Sequence, residues 1–259
     1  MSQDADGTVR LTIADGVAEL VLDRPAKHNA VTPAMARLIQ DHARALDGND
    51  AVRAVLLRGE GERAFCAGSD LNALAAYPST WHFRNRIEYA TAVRTIRKPV
   101  LAALLGWTLG GGAELALSSD IRIAADTTRI GFPEVQRGWV GGGGASQLLP
   151  RLIGHGRAAR LLLLGDPIAA EEAHRLGLVE EVVPDAMLLP RARELAAKLA
   201  SLSPVAVQSV KAALRMAMEA PLSAGLTYEN EMNVLCFSAG DHLEGIRAFN
   251  QKRTAEFAR

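Results

Sequence analysis

The chain of 259 residues carries 29 Lys+Arg against 29 Asp+Glu, a formal net charge of zero that supplies no basic field for nucleic acid or a membrane surface. Its 49% hydrophobic and 22% charged residues suit a globular protein rather than a disordered one, long enough for one large domain or a domain with an appendage. Two cysteines, Cys66 and Cys236, are too few for a disulfide framework or a metal cluster. The opening MSQDADGTVR is acidic and polar, unlike a signal or transit peptide, and the longest apolar stretch, 99–105, is far too short to span a bilayer. A soluble cytoplasmic protein is the expectation.

In chain order, Val9, Leu11 and Ile13 alternate with polar residues, Asp15-Gly16 makes a turn, and 17–22 supplies a return strand, which predicts a hairpin. Thr32-Pro33 has the form of an N-cap followed by proline at the first helical position. The predicted helix after it carries Met35, Leu38, Ile39, His42 and Leu46 at three- and four-residue spacings. A β-branched strand is predicted over 51–57, ending at the Gly59/Gly61 turn. Strand, helix and strand recur over 99–104, 113–119 and 121–124, an alternation that implies α/β layers. After Gly154 helical periodicity takes over: 157–164, 169–176, 186–200, 205–217 and a last pair within 222–257, separated by Pro184, Pro204 and Pro221. Only 178–183 interrupts them with a strand. The expected organisation is an α/β core over 1–200 and a helical region over 201–259.

Three stretches could carry chemistry. In Arg63-Ala64-Phe65-Cys66-Ala67-Gly68-Ser69-Asp70-Leu71, small residues let the backbone approach a ligand and offer N–H groups to an oxygen, or simply make a tight connection. In Leu109-Gly110-Gly111-Gly112-Ala113-Glu114, three glycines open a helix whose unpaired first-turn N–H groups and dipole favour an oxyanion. Helix–sheet packing would explain the same glycines. In Ile130-Gly131-Phe132-Pro133-Glu134 a carboxylate follows an apolar, proline-fixed turn, where desolvation would suit it to proton transfer, although acids are also common at helix N-termini. The run Gly141 to Gly144 before Ala145 reads as another helix N-terminus with an anion role, or as a flexible turn. No His-x-Glu, Cys-x-x-Cys or HExxH pattern points to zinc, and no serine sits in a G-x-S-x-G elbow. Cys66 reads as a small buried thiol, His155 as a surface turn residue, and none of the six histidines is assigned a role.

In combination these stretches resemble the enoyl-CoA hydratase/isomerase (crotonase) family. The resemblance runs from Val9 to Phe257 and is carried by DRPAKHNA at 23–30, AFCAGSDL at 64–71, GGGAELALSSDIRIA at 110–124, FPEV at 132–135, LPRLIG at 149–154 and EGIRAFNQKR at 244–253. It implies a crotonase-like α/β spiral of ββα units followed by a helical trimerisation region, assembled as a homotrimer or a dimer of trimers. It also implies an oxyanion hole built from the backbone N–H groups of Ser69 and Gly111. Lys27, Ala67, Asp70 and Leu71 correspond to positions that touch the CoA moiety, and Phe249 and Lys252 to C-terminal residues that reach the CoA of a neighbouring subunit. Two glutamates at the positions of Glu114 and Glu134 mark the family's hydratases, Glu114 orienting and deprotonating water and Glu134 delivering a proton to C2. No metal or cofactor is implied, CoA being part of the substrate.

The expected activity is hydration of a short- or medium-chain 2-enoyl-CoA. Enoyl-CoA isomerisation by Glu134 alone, hydrolysis or C–C cleavage of a CoA thioester, and a non-catalytic CoA-binding role are the alternatives. The chain departs from the family's usual pattern at Gly141, where proline is common, and at Leu105, Trp107 and Trp139. If Trp139 faces the acyl pocket, it shortens or flattens it. The segment 73–89, where the family varies that pocket, yields no substrate code from sequence.

Overall fold

The structure is a computed structural model and describes residues 6–257; the first five residues of the acidic opening lie outside that range. The chain begins with the expected hairpin, β1 (Thr8–Ala14) and β2 (Val17–Asp23), closed by Asp15 and Gly16, both in the left-handed region. Helix α1 (Pro33–Asp47) starts where predicted: Thr32 Oγ1 accepts from the Met35 N–H at 3.2 Å, and Pro33 occupies the first turn, where its missing N–H costs nothing. Met35, Ile39 and Leu46 bury the face that their spacing marked.

Next come β3 (Ala54–Gly59) and β4 (Ala64–Cys66), three short helices α2 (Leu71–Ala75), α3 (Thr80–Arg84) and α4 (Tyr89–Thr95), then β5 (Val100–Leu104) and β6 (Trp107–Leu109). Strand β3 starts three residues later than expected because Asn49 folds 49–52 into a turn, accepting from the Ala51 and Val52 amides. Helix α5 (Gly111–Ser118) is followed by β7 (Ile121–Ala125), β8 (Arg129–Gly131), a 3-10 turn (Pro133–Arg137), α6 (Ala145–Ile153) and α7 (His155–Leu164). Helices therefore dominate from 145 rather than 154, and the exposed His155 opens α7 instead of sitting in a turn. The chain closes with β9 (Ile168–Ala169), α8 (Ala170–Leu176), β10 (Glu181–Val183), α9 (Asp185–Ser201), α10 (Pro204–Ala217), α11 (Leu222–Ala239) and α12 (Asp241–Gln251).

The long sheet has the order β1-β2-β3-β5-β7-β10, parallel throughout except for the opening hairpin; the short one has the order β4-β6-β8-β9. From β3 to β8 each successive strand pair places one strand in each sheet before the chain returns by a helix or turn. This is the ββα spiral that the resemblance implies. Its main core lies between the layers, around Leu20, Leu22, Leu57, Phe65 and Phe132; a second cluster packs α9 through Leu188, Ala192 and Ala196 against Leu56, Leu101 and Ile123 on the long sheet. Lys211 ties α10 to this body, donating to the Lys98 carbonyl at 2.7 Å and pairing with Asp120. Among the described residues, no helix is long and apolar enough to cross a membrane.

Because all the short-sheet strands up to β8 run in one direction, the ends of β4, β6 and β8 emerge together. They deliver the loop after Cys66, the glycines after Leu109 and the turn bearing Glu134 to one place.

Candidate active site

A cavity of about 390 Å³ opens where those three strand ends meet. The first wall is Ala67-Gly68-Ser69, held from both sides. The Val31 N–H donates to the Gly68 carbonyl at 2.8 Å, the Asp70 N–H to the Val31 carbonyl at 2.9 Å, and the Ala67 N–H to the His28 carbonyl at 2.9 Å. Buried Asn29 fixes the strand behind, accepting from the Arg24 N–H and donating to the Glu60 and Ala64 carbonyls. Gly68 sits at φ +91°, where a side chain is strained. The Ser69 N–H is left without an acceptor among the described residues.

The second wall begins at Gly110, whose own N–H is bonded to the Gly131 carbonyl at 2.9 Å and whose φ of +54° turns the chain into α5. Gly111, the first residue of that helix, has an N–H with no intrahelical partner, at the positive end of the helix dipole. A Cβ on Gly68 would lie 3.0 Å from the Gly111 nitrogen, so the two turns are already in contact. Both unengaged amides thus belong to adjoining turns of one cavity. Tyr89 seals them from behind: its buried hydroxyl is 2.9 Å from Ser69 Oγ and fills the space that any side chain at 111 would need. Sequence reading overlooked Tyr89, and no motif marks it; only the fold brings it to Gly111.

Glu114 lies one turn into α5 and is 3% exposed. Burial pushes its carboxyl above the usual carboxylate range, while the N–H groups of Ala145, Gly143 and Gly144, together with the Arg86 charge, pull it back. The Ala145 N–H donates to Oε1 at 3.1 Å. The glycine run before α6 is therefore an anion-binding helix N-terminus whose anion is the protein's own Glu114. Side chains would not fit there: a Cβ at 143 would lie 2.8 Å from Glu114 Oε2. Glu134 is half-buried, its Oε1 packed beside Gly110. Its carboxyl is also pushed up, by burial first and further by the charge of Glu114, against the pull of its own N–H and of Arg137.

Lys27, Ala67, Asp70, Leu71 and Trp139 line the same cavity, Lys27 and Leu71 at its exposed side. The Asp70 carboxylate is already committed, pairing with Arg24 Nη1 at 2.7 Å and capping α2 through the Asn72 and Ala73 amides, which holds it below its usual range despite partial burial. Asp70 therefore braces the loop, its N–H engaged by the Val31 carbonyl and its own carbonyl by the Leu74 N–H at 3.0 Å. Phe249 and Lys252 lie on and just after α12, exposed and outside the cavity. Trp139 does face inward, with its ring 5.4 Å from that of Phe83. Trp107 is partly exposed at the start of β6, and Leu105 packs against the second core cluster. The Cys66 thiol is fully buried and pushed up to about 12, which suits a core residue and not a nucleophile.

A profile of the enoyl-CoA hydratase/isomerase family matches residues 12–259. The chain belongs to that family. Among its enoyl-CoA hydratase/isomerase relatives, the 2,3-dehydroadipyl-CoA hydratase of Escherichia coli K12 is 36% identical, covering 92% of this chain and 93% of its own. The crotonyl-CoA hydratase of Syntrophomonas wolfei is 36% identical, with 93% and 94% covered. Among solved structures, the enoyl-CoA hydratase of Bacillus anthracis superposes with a TM-score of 0.90 at 36% identity, covering 96% of this chain and 98% of that one. An enoyl-CoA hydratase from Polaromonas sp. JS666 reaches 0.92 at 31% identity, over 97% and 100%. The two-sheet spiral is accordingly the family's fold.

Proposed function

We propose that this protein is an enoyl-CoA hydratase that adds water across the C2=C3 bond of a 2-enoyl-CoA. The observation that carries the reading is the pair of unengaged amides, Ser69 and Gly111, on adjoining turns of a cavity that also holds Glu114 and Glu134. Attack of water at C3 moves negative charge onto the thioester oxygen. Two fixed N–H donors aimed at that oxygen stabilise the enolate-like charge, and removal of one such donor costs about 2.7–4 kcal/mol. Glu114, raised by burial but pulled back by the main-chain N–H groups of Ala145, Gly143 and Gly144, is assigned to orient water and take its proton. Glu134, pushed up by burial first and by the Glu114 charge besides, is assigned to deliver a proton to C2. Two like groups are thereby split into base and acid. Neither step requires more than the thioester, water and these side chains.

Lys27, Ala67, Asp70 and Leu71, which line the cavity, are assigned to its CoA end, and the protein to the cytoplasm. Apolar residues stand exposed along α10 to α12, among them Leu214, Leu226, Phe237, Ile246 and Phe249. Such a surface favours self-association, and we assign a homotrimer, alone or paired, with Phe249 and Lys252 turned toward a neighbour's CoA.

Purified protein given crotonyl-CoA is expected to remove the enone-thioester absorbance and yield a product heavier by one water. Glu134→Gln should slow that loss about 10²–10⁴-fold. Full activity in that variant, or no hydration by the unmodified protein, would reject the assignment.

A further inference from the structure

Part of the cavity wall is charged where a hydrocarbon chain would want apolar cover. Arg86 and Glu88, from the link between α3 and α4, both line it, with Arg86 Nη2 3.3 Å from Glu88 Oε2. Arg86 Nη1 donates to the Phe83 carbonyl at 3.0 Å, and the guanidinium lies over the Phe83 ring, 4.2 Å from its centre. These contacts leave further N–H donors of the five a guanidinium carries. Both side chains remain about one quarter open, at 23% and 24%. Position 142 is shaped around them, since a Cβ there would run into Arg86 Nη2 and lie 3.1 Å from Glu88 Oε2.

Resting on the hydratase reading above, we infer that the acyl group accepted here carries a neutral hydroxyl beyond the double bond, accepting from Arg86 and donating to Glu88. A plain alkyl chain would strip water from both charged groups and return no hydrogen bond. A carboxylate would satisfy Arg86, but it would add a fifth acidic group to a cavity already lined by Asp70, Glu88, Glu114 and Glu134. A hydroxyl supplies an acceptor and a donor without charge. It also matches a wall where Phe83 and Trp139 give apolar cover beside the ion pair.

The test compares kcat/KM for 2-hexenoyl-CoA, its 4-, 5- and 6-hydroxy analogues, and the 2-enoyl-CoA half-thioester of adipic acid. At least one hydroxylated thioester should be hydrated about tenfold or more better than hexenoyl-CoA, and Arg86→Met should reduce that ratio to about two or less. If Arg86→Met does not fold, Gly142→Ala, whose methyl displaces the guanidinium, should reduce the same ratio. Preference of the unmodified protein for the alkyl or the carboxylated thioester overturns the inference and leaves the hydratase reading standing. Failure to hydrate any of the five thioesters overturns the hydratase reading, and the inference with it.

Discussion

Glu114 and Glu134 are the same chemical group in different surroundings, and that difference has a thermodynamic consequence. Burial and the Glu114 charge make the folded chain hold the Glu134 proton more tightly than the unfolded chain does. Above the usual value of 4.5 the folded state therefore binds more protons, and stability falls as pH rises through that window. Glu134→Gln removes the loss. Its urea midpoint should exceed that of the unmodified protein at neutral pH, and the excess should vanish in acid below the usual value; equal midpoints at both pH values would contradict this. At this scale the sequence already displayed the two acids and the glycines, because each lies in a run whose chemistry is local. Arg24, Asn29, Tyr89, Arg86 and Glu88 were not legible as parts of the site. Their partners lie at Asp70, Ala64, Gly111 and Gly142, and only folding sets those distances.

Elements with strong local signals were read well. The α1 start is an example, because Thr32, Pro33 and the apolar spacing all point the same way. Thr32→Ala should destabilise the fold by about 1 kcal/mol, with a range of roughly 0.5–2, measurable as a lower urea midpoint with an unchanged slope. An unchanged midpoint would show that the cap contributes nothing. The short sheet was the part least visible beforehand. Strands β4, β6 and β8 have three residues each, too few for a period-2 pattern, and they persist because neighbouring strands and buried Phe65 and Ile130 hold them. The same holds for α2, α3 and α4, none longer than seven residues and none stable in isolation. The segment that shapes the cavity was thus the segment with the weakest local code.

For the whole molecule, the exposed stripe on α10 to α12 contrasts with a core that buries its large apolar residues almost completely. Leu226 is 57% and Phe237 70% exposed on the same helix. At micromolar concentration, sedimentation should give about three times the single-chain mass of 27.6 kDa, or twice that again. Leu226→Asp should shift the distribution toward the single chain, since it places an unpaired charge in an apolar contact. A single-chain mass for the unmodified protein would reject the trimer.

In the proposed mechanism two main-chain amides converge on one thioester oxygen, and the carbonyl stretch of a bound enoyl thioester reports that directly. Infrared difference spectra of carbonyl-labelled 2-enoyl-CoA bound to Glu134→Gln, which is slow enough to hold it, should show the C=O band moved to lower frequency than in water. Gly68→Ala in the same background crowds the Gly111 nitrogen and should return most of that shift. A bound carbonyl that absorbs where it does in water, with Gly68 intact, would rule out an oxyanion hole at Ser69 and Gly111.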